Sequence, residues 1–197
     1  PKRSRLSTEA VTQEAIKALD KAKKYNQPFY LYMAHYAIHI PIDKDMRFFP
    51  KYVRKGLTDK EAAYASLIEG MDKSLGDLMD WLEKNGEADN TIVIFMSDNG
   101  GLAAEPGWRD GEPHTQNAPL KSGKGSMYEG GIREPMIVKW PGKVQPDTRC
   151  DKYLIIEDFY PTILEMAGVK DYHTVAPIDG ISFMPMLKQT GDTSKGR

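Results

Sequence analysis

The sequence predicts an α/β fold with a mostly parallel sheet flanked by helices. Three continuously apolar runs, "PFYLYMA" at 28–34, "TIVIFM" at 91–96 and "PMIVKW" at 135–140, read as buried strands. Stretches with apolar residues three and four positions apart read as helices and alternate with those runs. In such sheets ligands sit outside the carboxyl ends of the strands. Two of the strands end in candidate site residues: His35 and His39 follow the first, Asp98 and Asn99 the second.

Each element follows from its own residues. "LSTEAVTQEAIKALDKAKKY" is a helix that Ser7 or Thr8 can cap, with Val11, Ala15, Leu19 and Ala22 on one face. Strand 28–34 empties into "HYAIHIPI", where Pro41 ends any pairing. "DKDMRFFPKYVRKGLTDKE" is irregular and surface-like. From Thr58 the pattern turns helical: Tyr64, Ile68, Met71, Leu75, Leu78 and Leu82 form an amphipathic stripe of about five turns. Asn85-Gly86 stops it. Residues 99–124 form a long loop rich in glycine and proline, of a length that is usually functional or disordered. "EDFYPTILEMAG" is a short helix capped by Asp158, with Pro161 in its first turn and Gly168 at its end. "IDGISFMPMLK" is a loop with an apolar anchor.

Bulk properties narrow the function. A length of 197 residues fits one domain or a large piece of one, and 40% hydrophobic residues are enough for a core. The net charge of −1 argues against a nucleic-acid binder or a membrane-surface protein, so any bound anion is held by local groups. The apolar runs fall short of the roughly 20 residues that span a bilayer. Cys150 is the one cysteine; it excludes an internal disulfide and reads as structural. The chain opens on Pro1 without an initiator Met and ends on "GDTSKGR", which reads as a piece of a longer protein.

Three constellations can carry chemistry. Asp98 and Asn99 offer hard oxygen donors suited to Ca²⁺ or Mg²⁺, with Gly100-Gly101 to turn the backbone away; "DNGG" also satisfies an ordinary turn, which composition alone favours. "PLKSGKGSMYEGGIREP" at 119–135 surrounds Lys121, Lys124, Tyr128, Glu129, Arg133 and Glu134 with glycines. Lys124 between two glycines is open to close approach by a tetrahedral anion, although a flexible loop with solvated lysines fits the composition as well. The Walker order of glycine, lysine and Ser/Thr is absent. "HYAIHIP" places two histidines at a strand end, as proton donors, anion ligands or structural residues.

In order, "NTIVIFMSDNGG", "NAPLKSGKGSMYEGGIREPMIVKWPGKV", "DFYPTILEMAG" and "DGISFMPML" resemble the later half of the type I sulfatases of the alkaline-phosphatase-like superfamily. "PFYLYMAHYAIHIPI" and "AAYASLIEGMDKSLGDLMDWLEKNG" match the segments expected before them. The resemblance implies a partial alkaline-phosphatase-like fold, with residues 1–197 a fragment of the catalytic domain. It implies that Asp98 and Asn99 are metal ligands, for Ca²⁺ with Mg²⁺ as a possibility, and that Lys124 and His39 are catalytic residues at the sulfate. It also places His114 and His35 at the substrate pocket. The substrate it implies is a sulfated small molecule or glycan, met in the periplasm or outside the cell.

The sequence departs from that family in lacking the Cys/Ser-x-Pro-x-Arg motif that becomes formylglycine and the first pair of metal-binding aspartates. The nucleophile is therefore expected in a missing N-terminal part, a C-terminal subdomain is expected to be missing too, and this polypeptide alone is expected to be inactive. Two other readings stand beside this one: a phosphatase or phosphodiesterase of the same superfamily, and a noncatalytic module that binds sulfated glycans.

Overall fold

A computed structural model describes residues 8–103 and 115–191. It separates into two units; the first runs to Ala88 and resumes over Met96–Met136, and the second takes Asp89–Phe95 and the chain from Ile137 onward.

The first unit is organised around a long helix. Helix α1 (Thr8–Lys24) carries Glu9 in its first turn and Lys21, Lys23 and Lys24 in its last, matching the helix dipole at both ends. A short helix α2 (Phe49–Arg54) starts with a proline in its first turn. Helix α3 (Asp59–Lys84) is closed at its start by a capping box: the Glu61 amide donates to Thr58 Oγ1, and the Thr58 amide donates to Glu61 Oε2. It ends before Gly86, whose φ of +69° needs a residue without Cβ.

α1 and α2 both pack on α3. The buried face of α3 is made of small residues, Ala62, Ala63, Ser66, Gly70 and Ser74, followed by Trp81 and Leu82. This corrects the expected stripe: Tyr64, Met71, Leu75 and Leu78 are only half-buried and Ile68 is exposed. The reason is packing distance, since small side chains let neighbouring helices approach closely while the bulky stripe is left for another surface. Phe49, Ala62 and Ala63 form a core cluster with Ile42, Tyr52 and Leu57 against it. At the other end of α3, Trp81 Nε1 donates to Asp20 Oδ1 at 2.8 Å, and Phe29 meets the Trp81 ring edge-on.

The expected buried strand at 28–34 joins no ladder among the described residues and is mostly exposed, because the described chain places no neighbouring strand or covering layer over it. Its side chains still alternate: Tyr30 and Tyr32 are 73% and 79% exposed, while Phe29 and Leu31 are each 36% exposed. Period-two burial is that of a strand resting one face on helices.

β1 (Val93–Met96) pairs with β2 (Met136–Lys139) in a two-stranded sheet, all but Met96 and Met136 falling in the second unit. The described residues therefore hold only a small part of the extended sheet that the sequence predicts. Helix α5 (Phe159–Met166) packs against α6 (Met184–Leu187), with Phe159 and Phe183 edge to face at 5.2 Å. Asp158 precedes α5 but does not cap it. Its fully buried carboxylate accepts from the amides of Ile155 and Ile181 at 3.1 and 2.9 Å, pinning the "DGIS" segment. Between the strands, helix α4 (Glu129–Ile132) belongs to the first unit.

Candidate active site

The segment after β1 and the glycine-rich segment before β2 are locked together by backbone contact. The Gly100 amide donates to the Gly131 carbonyl at 3.2 Å, and a Cβ on Gly100 would come within 1.8 Å of the Gly130 oxygen. A Cβ on Gly123 would lie 2.3 Å from the Gly101 oxygen. Gly100 is therefore glycine because another backbone lies against it, whereas a Cβ on Gly101 would meet the Asn117 and Thr115 side chains at 2.9 and 3.2 Å. Neither has a positive φ, so close approach, not left-handed backbone, requires glycine there.

Within that interlock, Asp98 is exposed and Asn99 half-buried. Asn99 Nδ2 donates to Asp98 Oδ1, and Ser97 Oγ donates to the Asn99 carbonyl at 2.8 Å. Among the described residues, Asn99 Oδ1 and Asp98 Oδ2 have no hydrogen-bond partner, and both are hard oxygens, the donor chemistry of Ca²⁺ or Mg²⁺. Two such donors fit a divalent cation but make up only part of the about six to eight that calcium takes. No group of three or more His, Cys, Asp or Glu is placed to hold a metal among the described residues. Glu134 lies close enough for its carboxyl to feel the Asp98 charge. Burial, with that charge adding, pushes the Glu134 carboxyl above its ordinary range, and its Oε1 is buried without a hydrogen bond.

The cations of the glycine-rich segment divide sharply. Lys121 Nζ sits 3.8 Å above the centre of the Tyr128 ring, and Arg133 Nη1 pairs with Glu129 Oε2 at 2.9 Å. Lys124 Nζ has no hydrogen bond or ion pair among the described residues, and the residue is half-buried. Its main chain is anchored, the Lys124 amide donating to the Gly101 carbonyl at 3.0 Å. Asn117, which sequence reasoning missed, bonds to both Gly101 and Ser122. A side chain bonding to backbone 16 residues away leaves no pattern to read.

The histidines are placed separately. His39 is exposed, and its Nδ1 lies 2.7 Å from the Ile40 carbonyl. A carbonyl only accepts, so Nδ1 carries the proton and Nε2 is left with the lone pair. The other described contacts of His39 are local: its backbone amide donates to the Tyr36 carbonyl, and the Tyr36 ring lies at 5.7 Å. His35 faces α3, and its Nε2 lies 3.4 Å from Ser74 Oγ. Thr12 Oγ1 donates to the Thr8 carbonyl, so the Ser74 hydroxyl donates to Thr12 and His35 Nε2 is the donor to Ser74. Among the described residues, His35 Nδ1 is then a buried lone pair without a partner, and burial lowers the pKa of the ring. His114 lies outside the described residues. Cys150 is exposed.

The segment after β1 thus presents a carboxylate and an amide side chain on backbone that is hydrogen-bonded to the Lys124 main chain through Gly101. The chain belongs to the Sulfatase family, whose profile matches residues 2–169. It is 36% identical to "Uncharacterized sulfatase YdeN" of Escherichia coli (strain K12), over 95% of this chain and 32% of that protein. It is 32% identical to the human N-acetylgalactosamine-6-sulfatase over 92% of this chain and 32% of that one. The solved structure of "Ps i-CgsB in complex with k-i-k-neocarrahexaose" superposes with a TM-score of 0.80 at 33% identity, covering 94% of this chain and 39% of that one. The fold is thus that of the alkaline-phosphatase-like sulfatases. This chain spans about a third of the length of the curated relatives it matches.

Proposed function

We propose that this chain is the part of a sulfatase catalytic domain that grips the sulfate, and that the whole protein hydrolyses sulfate esters on a glycan. One observation carries the reading. Among the described residues, Lys124 is the cation of its segment with an uncommitted ammonium, and its main chain is bonded to the residue two positions beyond the Asp98-Asn99 pair. The names of the relatives, an N-acetylgalactosamine-6-sulfatase and a protein solved with a neocarrahexaose, support a sulfated sugar as substrate. Glycans of that kind are met outside the cytoplasm, in the periplasm or beyond it.

Hydrolysis adds water across the ester, giving a free alcohol and inorganic sulfate. Negative charge grows on the non-bridging oxygens and on the leaving oxygen. Lys124 binds a non-bridging oxygen as a compact point charge. His39, held through Nδ1 by the Ile40 carbonyl, presents Nε2. When protonated, that atom gives its proton to the leaving oxygen. Asp98 and Asn99 would hold a divalent cation, which when bound supplies Lewis-acid stabilisation of the sulfate oxygens. His35 and His114 border the substrate. The formylglycine nucleophile belongs to polypeptide outside this chain, so the chain alone has no turnover. The exposed Tyr30 and Tyr32, the unladdered strand at 28–34 and the half-exposed stripe of α3 support a larger domain that covers them.

The test uses the full-length protein with sulfated galactan oligosaccharides, measuring sulfate release. Wild type should turn over and the Lys124→Ala variant should lose about two to three orders of magnitude in kcat. Wild-type kcat in that variant would overturn the assignment.

A further inference from the structure

The structure assigns Asn117 as the positioning residue that sets Lys124 against the Asp98-Asn99 turn, an inference that rests on the sulfatase reading above. Asn117 Oδ1 accepts from the Gly101 amide at 3.2 Å, and Nδ2 donates to the Gly101 carbonyl at 3.0 Å. Nδ2 also donates to the Ser122 carbonyl at 3.1 Å. The side-chain amide thus pairs with the Gly101 backbone as a neighbouring strand would, and spends its second hydrogen on the lysine-bearing segment.

These contacts bridge the two groups that matter. Gly101 follows Asn99 by two positions, and Ser122 precedes Lys124 by two. The same Gly101 carbonyl accepts the Lys124 amide at 3.0 Å. Tyr64 of α3 donates to Thr115 Oγ1 at 3.2 Å, tying the approach to Asn117 onto the long helix. The clamp is therefore fixed to scaffold at one end and holds both site segments at the other.

Asparagine is the side chain that fits. Aspartate has no hydrogens to give and would set a carboxylate against the Gly101 and Ser122 carbonyls. Alanine and serine are too short. Glutamine needs room for another methylene, yet a Cβ on Gly101 would already lie 2.9 Å from Asn117 Oδ1, and a Cβ on Gly123 would lie 2.8 Å from Asn117 Nδ2.

The test compares wild-type full-length protein with its Asn117→Asp, Asn117→Ala and Lys124→Ala variants. It measures kcat and KM per folded molecule on a sulfated galactan oligosaccharide, and amide hydrogen exchange at Gly101 and Lys124. Both Asn117 variants should lose about 10- to 100-fold in kcat/KM per folded molecule, and the two amides should exchange faster together. Wild-type kcat/KM per folded molecule in both variants would overturn the inference, as would activity that falls only with the folded fraction. Exchange in the wild-type protein needs no variant: an unprotected Lys124 amide in the native state would overturn it directly. If Lys124→Ala abolishes turnover while Asn117→Asp does not, the clamp alone fails. If Lys124→Ala turns over normally, the sulfatase reading fails and the clamp with it.

Discussion

The Lys124 amide donates to the carbonyl of Gly101 at 3.0 Å, so residues 23 positions apart in the chain share one hydrogen bond at the heart of the candidate site. That bond places a half-buried, uncommitted ammonium on a segment whose backbone is registered to the Asp98-Asn99 turn.

The division of labour among the cations is testable by substitution. In the full-length protein, Lys124→Ala should lose about 100- to 1,000-fold in kcat. Lys121→Ala should stay within a few-fold of wild type, because that ammonium is occupied by the Tyr128 ring. Steady-state kinetics on one sulfated oligosaccharide checks both, and equal losses would remove the distinction.

Gly100→Ala should be far more damaging than its size implies. The added methyl would meet the Gly130 oxygen at 1.8 Å, which forces the two segments apart. A loss of about 1–3 kcal/mol in stability is expected for such overpacking, together with lost activity. Gly125→Ala is a useful contrast, since a Cβ there meets nothing, although its φ of +87° still costs backbone strain. Urea unfolding of both variants measures the difference.

His35 gives a pH signature. Its folded-state pKa lies below the ordinary value of 6.5 because burial disfavours the charged ring. As pH drops below 6.5, the unfolded chain takes up a proton that the folded ring still refuses. Stability therefore falls from there towards the folded-state value, and His35 contributes no slope above 6.5. His35→Asn should flatten the acid side of a plot of unfolding midpoint against pH. An unchanged slope would assign the acid sensitivity to other groups.

Asp158→Ala should destabilise the second unit by about 3 kcal/mol, since two backbone amides lose a buried, charged acceptor. Thermal unfolding checks this, and a shift confined to a few tenths of a kcal/mol would mean that water replaces the carboxylate.

Long periodic elements were legible from residues alone. α1 and α3 announce themselves through spacing and through Thr58 and Gly86 at the ends of α3. The expectation for 43–61 missed α2, and that for 178–188 missed α6, because helices of six and four residues are too short to show a period. Spacing also could not say which face of α3 this chain uses, and the small residues won over the bulky stripe. The continuous apolar run at 28–34 reads as a buried strand, but the structure exposes Tyr30 and Tyr32, and pairing depends on neighbours that the sequence of one strand does not specify. At the site, Asp98, Asn99 and Lys124 stood out as residue types on glycine-rich backbone. The reason for the glycines did not, because close backbone approach is a tertiary fact. Asn117 was invisible for the same reason.

A crystal structure of the full-length protein with calcium and an unhydrolysed sulfated galactan oligosaccharide measures the central claim most directly. The expected result is a sulfate-ester oxygen about 2.7–3.2 Å from Lys124 Nζ, with a cation on the Asp98 and Asn99 side-chain oxygens. A sulfate ester bound elsewhere, with Lys124 facing bulk water, would contradict it.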